Sequence, residues 1–169
     1  MKIKDKFVGI CSYQSPSFIE WFGDMEYEEK VSKLYSKSLE RNMSDNEILS
    51  KLKPTELTLG EVFDYLKNKA DKKNSQFIFY CRNIAGMLRA VHVDWYDDGW
   101  YVYADSVEDP SGWDGGNQVF SRNPFDTTPV QPPSSETVLQ TFTRFISKSP
   151  LTQQYDVMET DDVLVIKRK

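Results

Sequence analysis

A chain of 169 residues with 39% hydrophobic and 14% aromatic content is sized for one domain that buries its own core without disulfide or metal staples. The net charge is −5, and the window Ala90–Ser121 alone holds seven acids and no Lys or Arg, which repels a phosphate backbone and excludes nucleic acid as a partner there. Two distant cysteines (Cys11, Cys81), one histidine, no C-x-x-C, no apolar leader core and no run of membrane-spanning length exclude a zinc cluster and a membrane span; the expectation is a cytoplasmic chain that takes no cofactor and no membrane.

Lys6–Tyr13 (K-F-V-G-I-C-S-Y) reads as a strand stopped by Pro16. Ser17-x-x-Glu20 fits a capping box ahead of a short helix carrying Phe18, Ile19, Trp21 and Phe22, broken by Gly23. From Glu26 to about Arg41, the apolar residues Tyr27, Val31, Leu34, Tyr35 and Leu39 fall at helical spacing and predict a longer helix. Ser44-x-x-Glu47 and Thr58-x-x-Glu61 are two further capping boxes. The first opens a helix with Ile48, Leu49 and Leu52 that Pro54 ends. The second opens one from Leu59 to about Lys72, whose closing lysines (Lys67, Lys69, Lys72, Lys73) suit a helix C-terminus.

Strand patterns then follow at Phe77–Arg82, Met87–Tyr96 and Trp100–Val107, with Gly86 in or beside a turn and Asp97-Asp98-Gly99 as a hairpin signal. Val107–Asn117 is rich in Gly, Pro and Asp and reads as a loop, and Gln118–Ser121 as a short strand. The prolines at 124, 129, 132 and 133 mark an extended connector over 124–134. A helix over Ser135–Lys148 and a terminal hairpin (Gln153–Glu159, Val163–Lys167) complete the chain. Clustered rather than alternating strands predict an α+β fold, with an antiparallel or mixed sheet packed on one side by several helices. The chain is expected to form one domain over 1–169, with a helix-rich part (14–73), a sheet-forming part (76–123), the connector, and a C-terminal helix and hairpin (135–169).

Three constellations could carry function. Strand alternation puts His92 and Asp94 on one face; with Cys81 from the preceding strand as nucleophile they would form a hydrolase triad, although no helix start follows either cysteine to activate it. His92, Asp94 and Asp105, or Asp109, Asp114 and Asn117, could hold a metal, but the latter spacing is not that of an EF-hand and ordinary turn chemistry accounts for it. The third is an acidic aromatic surface built from Trp95, Asp97, Asp98, Trp100, Tyr101, Tyr103, Glu108, Asp109, Trp113, Asp114 and Asn117. Tyr and Trp bring large contact area with a polar handle, and acids steer basic partners. The favoured reading is a non-catalytic binding protein of adaptor, inhibitor or immunity type with a basic protein partner; the alternatives are the Cys–His–Asp hydrolase and a glycan or small-molecule module. Arg122, the first base after the acid run, is expected to pair back to that run.

Overall fold

The structure is a computed structural model describing residues 1–68, 70, 76–96, 99–125, 155–160 and 163–168. The chain divides into two compact units, Met1–Asp126 and Thr127–Lys169. In the second, β9 (Tyr155–Thr160) and β10 (Val163–Arg168) pair antiparallel, matching the expected terminal hairpin. The helix expected over Ser135–Lys148 and most of the proline connector lie outside the described residues.

The first unit has the expected α+β character. Its described elements are α1 (Ile3–Phe7), β1 (Cys11–Gln14), α2 (Pro16–Phe22), β2 (Tyr35–Ser38), β3 (Met43–Ser44), α3 (Asp45–Lys51), α4 (Leu59–Asn68), β4 (Gln76–Arg82), β5 (Leu88–Tyr96), β6 (Gly99–Ser106), β7 (Gly112–Trp113) and β8 (Gln118–Ser121). Six strands form a mixed sheet in the order β1-β6-β5-β4-β8-β2, in which β1–β6 and β4–β8 are parallel and the other neighbours antiparallel. The β5–β6 register, Trp95 with Trp100 and Tyr96 with Gly99, brackets the expected Asp97-Asp98 turn, whose two residues lie outside the described set. Gly86 closes the β4–β5 turn at φ +77°, a left-handed conformation that glycine adopts without steric cost.

Alternation decides what each face holds. Phe77, Phe79 and Cys81 of β4, with Val91, Val93, Trp100, Val102, Ala104 and Phe120, face one way and meet Ile3 and Phe7 of α1, Phe18 and Phe22 of α2, and Val62, Phe63 and Leu66 of α4. Tilted and stacked ring pairs tie this core together, among them Phe79–Phe120 at 4.9 Å and Tyr65–Phe120 at 4.7 Å, each adding about 1 kcal/mol to the area it buries. Ile78, Tyr80, Ala90 and Val119 face the other way and are covered by Leu39, Met43 and Ile48, so α3 and the small β3–β7 ribbon cap part of the second face. Asp45 fastens that cap: its buried Oδ1 accepts hydrogen bonds from the Tyr80 hydroxyl (2.6 Å) and from Trp113 Nε1 (2.8 Å).

Both later capping boxes form as expected, whereas the first differs: Ser15, not Ser17, caps α2 by accepting from the Phe18 amide, with Pro16 at the first helical position. The strand expected over Lys6–Tyr13 is instead the end of α1 followed by β1. The helix expected from Glu26 to Arg41 is absent; 27–34 runs without helix or strand and continues into β2.

The cause lies in α4. Gly60 sits so close to the Glu28 carbonyl that a Cβ would be 2.0 Å from it. Beside it, Ser32 Oγ donates to Glu61 Oε1 at 2.6 Å. Tyr27 packs edge-on against Phe63 at 5.4 Å, while Val31, a member of the helical stripe, is left 64% exposed. Tertiary contacts with the start of α4 outweigh the local helical pattern.

Glu61 is the point where these elements meet. It is 1% exposed. Its carboxylate accepts from Arg122 Nε and Nη2 (both 2.8 Å), from the Thr58 amide (2.8 Å) and hydroxyl (3.0 Å), and from Ser32. Arg122 therefore pairs with α4, not with the acid run as the sequence suggested. Burial raises the Glu61 pKa, but the bonds from Arg122, Ser32 and Thr58 prevail and hold it at about 2, below its ordinary 4.5.

Glu61→Gln should lower unfolding free energy by about 2 kcal/mol at neutral pH, less than for a fully buried pair because Arg122 is partly exposed. A carboxylate with a depressed folded pKa stabilises above its unfolded value and loses that contribution as pH falls through its folded value. Urea unfolding in a pH series should therefore show the advantage of the native protein over Glu61→Gln intact above about pH 4.5 and gone near pH 2. A constant difference across that window would show that the carboxylate charge is not what binds these elements.

Candidate functional site

The cap formed by α3 and the β3–β7 ribbon leaves part of the second sheet face uncovered, and there side chains of β1, β5 and β6 form a continuous line of rings that ends on Trp113 of β7. Tyr96 meets Tyr101 edge-on at 4.9 Å, Tyr101 stacks on Tyr13 at 5.6 Å, and Tyr13 also contacts Tyr103 at 5.6 Å. Tyr103 stacks on His92 at 4.6 Å with the planes 11° apart, and His92 meets Trp113 edge-on at 5.1 Å. The register dictates this order: Tyr101 lies opposite Asp94 and Tyr103 opposite His92, while the parallel pairing of β1 with β6 sets Tyr13 beside Tyr101. Tyr13 and Tyr96 are exposed (40% and 52%), and Tyr101, Tyr103, His92 and Trp113 are half-buried.

Carboxylates sit within and beside the rings. Asp94 is 7% exposed, flanked along its strand by His92 and Tyr96 and across the sheet by Tyr101 and Gln76. Its Oδ1 is buried and has no hydrogen-bond partner among the described residues. Burial raises the Asp94 pKa against the opposing influence of His92 and a hydrogen bond from Gln76. Gln76 is in turn oriented by Asn117, whose amide donates to Gln76 Oε1. Asp105 is more open; its Oδ2 lies 2.9 Å from His92 Nδ1, near enough for charge but not aligned as a hydrogen bond. Asp94 Oδ2 is 4.0 Å from His92 Nε2.

The residues named from the sequence divide accordingly. Tyr101, Tyr103, His92, Asp94 and Trp113 come together on this face, with Asn117 buried behind them. Trp100 is in the core, 2% exposed, and Trp95 packs edge-on against it at 4.9 Å on the opposite face, so neither belongs to the surface. Glu108, Asp109 and Asp114 are exposed loop residues. Asp109 accepts from the Ser111 amide at 2.8 Å, a bond that lowers its pKa and is ordinary turn chemistry. Asp97 and Asp98 lie outside the described residues.

The structure does not assemble the triad. Cys81 projects into the helix-covered core and His92 to the other face, so the thiol cannot pass a proton to the imidazole. Both thiols are free and buried. Burial pushes Cys11 up to about 12 and Cys81 higher still, the reverse of an activated nucleophile. Among the described residues, no three or more His, Cys, Asp or Glu side chains are placed to hold a metal ion, so His92, Asp94 and Asp105 do not form the site their spacing suggested. Asn117, bound to Gln76, is likewise committed elsewhere.

Sequence reasoning missed Tyr13, whose place depends on the β1–β6 pairing, and Gln76, recruited through Asn117. Tyr96 was legible, being in step with His92 and Asp94 on one strand.

A separate cleft of about 760 Å³ opens between the N-terminal segment and the start of α4, lined by Ile3, Met25, Leu57, Glu56, Arg82 and Arg122 among others. Its charged groups are largely paired: Arg82 grips Glu56 at 2.6 and 2.8 Å, Arg122 grips Glu61 behind the wall, and Asp24 and Glu26 hold Lys4 and Lys2. That leaves little directed polarity for a ligand.

Comparison of the chain with protein-family models, characterised proteins and solved structures finds no match, and among the described residues no helix is long and apolar enough to cross a membrane.

The Trp113–Asp45–Tyr80 link gives a direct check on how the ring line is held. Asp45→Ala orphans the buried Tyr80 hydroxyl and frees the Trp113 indole, at a cost of about 2 kcal/mol. Its Trp113 fluorescence should shift to the red in the folded state. Unchanged stability and emission would show that Asp45 does not anchor this edge of the ring line.

Proposed function

We propose that this is a non-catalytic binding protein, of the adaptor, inhibitor or immunity type, that holds a basic protein partner on the ring-lined face of its sheet. The observation that carries this reading is the line Tyr96–Tyr101–Tyr13–Tyr103–His92–Trp113 with a buried, incompletely partnered carboxylate set into it. Core packing does not require half-exposed tyrosines in contact across three strands, whereas hot spots of protein interfaces are built from such rings. Complementarity supports a basic partner: from Ala90 to Ser121 the chain supplies seven acids and no cation, so the surface would speed association with a positively charged partner in a salt-dependent way. Two free thiols suit a reducing compartment and the cytoplasmic setting of this proposal.

Full-length isotope-labelled protein titrated with lysine- and arginine-rich peptides should show saturable amide shifts centred on Tyr13, Tyr96, Tyr101, Tyr103 and His92. Affinity should fall as salt rises, and Tyr103→Ala should weaken it at least tenfold. Shifts scattered over the surface, or none, would overturn the proposal. Saturable binding of an oligosaccharide at the same rings, without response to basic peptides, would replace it with a glycan-binding function.

A further inference from the structure

Resting on that reading of the face, we infer that its central seat takes an arginine side chain of the partner, set against the exposed Tyr13 ring beside Tyr101 and Tyr103 and drawn by the charges of Asp94 beneath and Asp105 farther along the face. Three observations converge there. Tyr13, 40% exposed, contacts both Tyr101 and Tyr103 at 5.6 Å, making a three-ring cluster with the Tyr13 ring open to a ligand. Aromatic faces attract cations, and a guanidinium stacks on them better than an ammonium because it is planar and more weakly hydrated.

Asp94 lies directly across the β5–β6 ladder from Tyr101, nine-tenths buried, with no hydrogen-bond partner for Oδ1 among the described residues. A carboxylate shielded from water acts on a nearby cation through a lower effective dielectric than a surface acid would. Gln76, itself held by Asn117, hydrogen-bonds to Asp94 but brings no positive charge to neutralise it.

The third observation is Asp105, two residues beyond Tyr103 on the same strand face, with its side chain 44% exposed. It presents a carboxylate that the guanidinium fork can reach without burial. The ionisable groups facing this seat are thus His92, Asp94, Asp105 and the tyrosine hydroxyls, and β1, β5 beyond Arg89 and β6 contribute no Lys or Arg. These strands therefore have the chemistry to receive a cation and, among their described residues, no Lys or Arg on this face to compete for it.

The test uses the full chain and three peptides identical except at one position: arginine, lysine, or citrulline, which keeps the shape of arginine without its charge. By calorimetry or fluorescence anisotropy, the arginine peptide should bind at least tenfold more tightly than the citrulline peptide and severalfold more tightly than the lysine peptide. Asp94→Asn should erase most of the arginine-over-citrulline preference. Asp105→Asn, at an exposed position where folding is not at stake, should reduce it in part. Equal binding of arginine and citrulline peptides, or a preference unchanged in both Asn variants, would overturn the arginine seat. If Tyr101→Ala and Tyr103→Ala still abolish binding in that case, the face remains a binding surface and only the arginine seat fails. If the tyrosine variants also bind normally, the broader reading fails with it.

Discussion

The buried Glu61 carboxylate is the interaction on which the described fold depends most. It is the reciprocal partner in the α4 capping box, the acceptor for Ser32 on the extended 27–34 segment, and the counter-ion of Arg122 just beyond β8. A single side chain thus joins three stretches far apart in sequence. A charge so buried is tolerated only because its oxygens are satisfied. The same requirement keeps 27–34 unwound, since a helix there would take Ser32 away from the carboxylate and conflict with the close approach of Glu28 to Gly60.

That arrangement also helps explain why the two faces of the sheet differ. With α4 fixed at its start, α1, α2 and α4 bury one face under Phe77, Phe79, Trp100 and Phe120. The other face receives α3 and two residues each of β3 and β7, anchored by Asp45. The cap reaches Ile78, Tyr80 and Ala90 but leaves the Tyr13–Tyr101–Tyr103 region open. The candidate surface is the part of the sheet that the cap leaves uncovered.

Much of this was legible where the governing physics is local. The capping boxes at Ser44 and Thr58 needed only four residues each. Alternation along β5 puts His92 and Asp94 on one face, as the structure has them. Alternation could not say which face the helices would cover, so Trp95 and Trp100 were grouped with the surface although they belong to the core. The Glu26–Arg41 stripe was misread because helical spacing of apolar residues is a local pattern, while the contacts that override it come from Gly60 and Glu61. The partner of Arg122 and the place of Tyr13 rest on pairings between distant segments, which one sequence does not encode in any spacing.

The proposed function requires that the ring line face solvent in the full chain and respond to a bound cation. Flavin-sensitised photo-CIDNP reads tyrosine accessibility ring by ring. In the free protein, Tyr13 and Tyr96 should be strongly polarised and the buried Tyr80 silent, and an arginine-bearing peptide should quench the Tyr13 signal. Silent Tyr13 and Tyr96 in the free protein, or a Tyr13 signal indifferent to saturating peptide, would contradict the account.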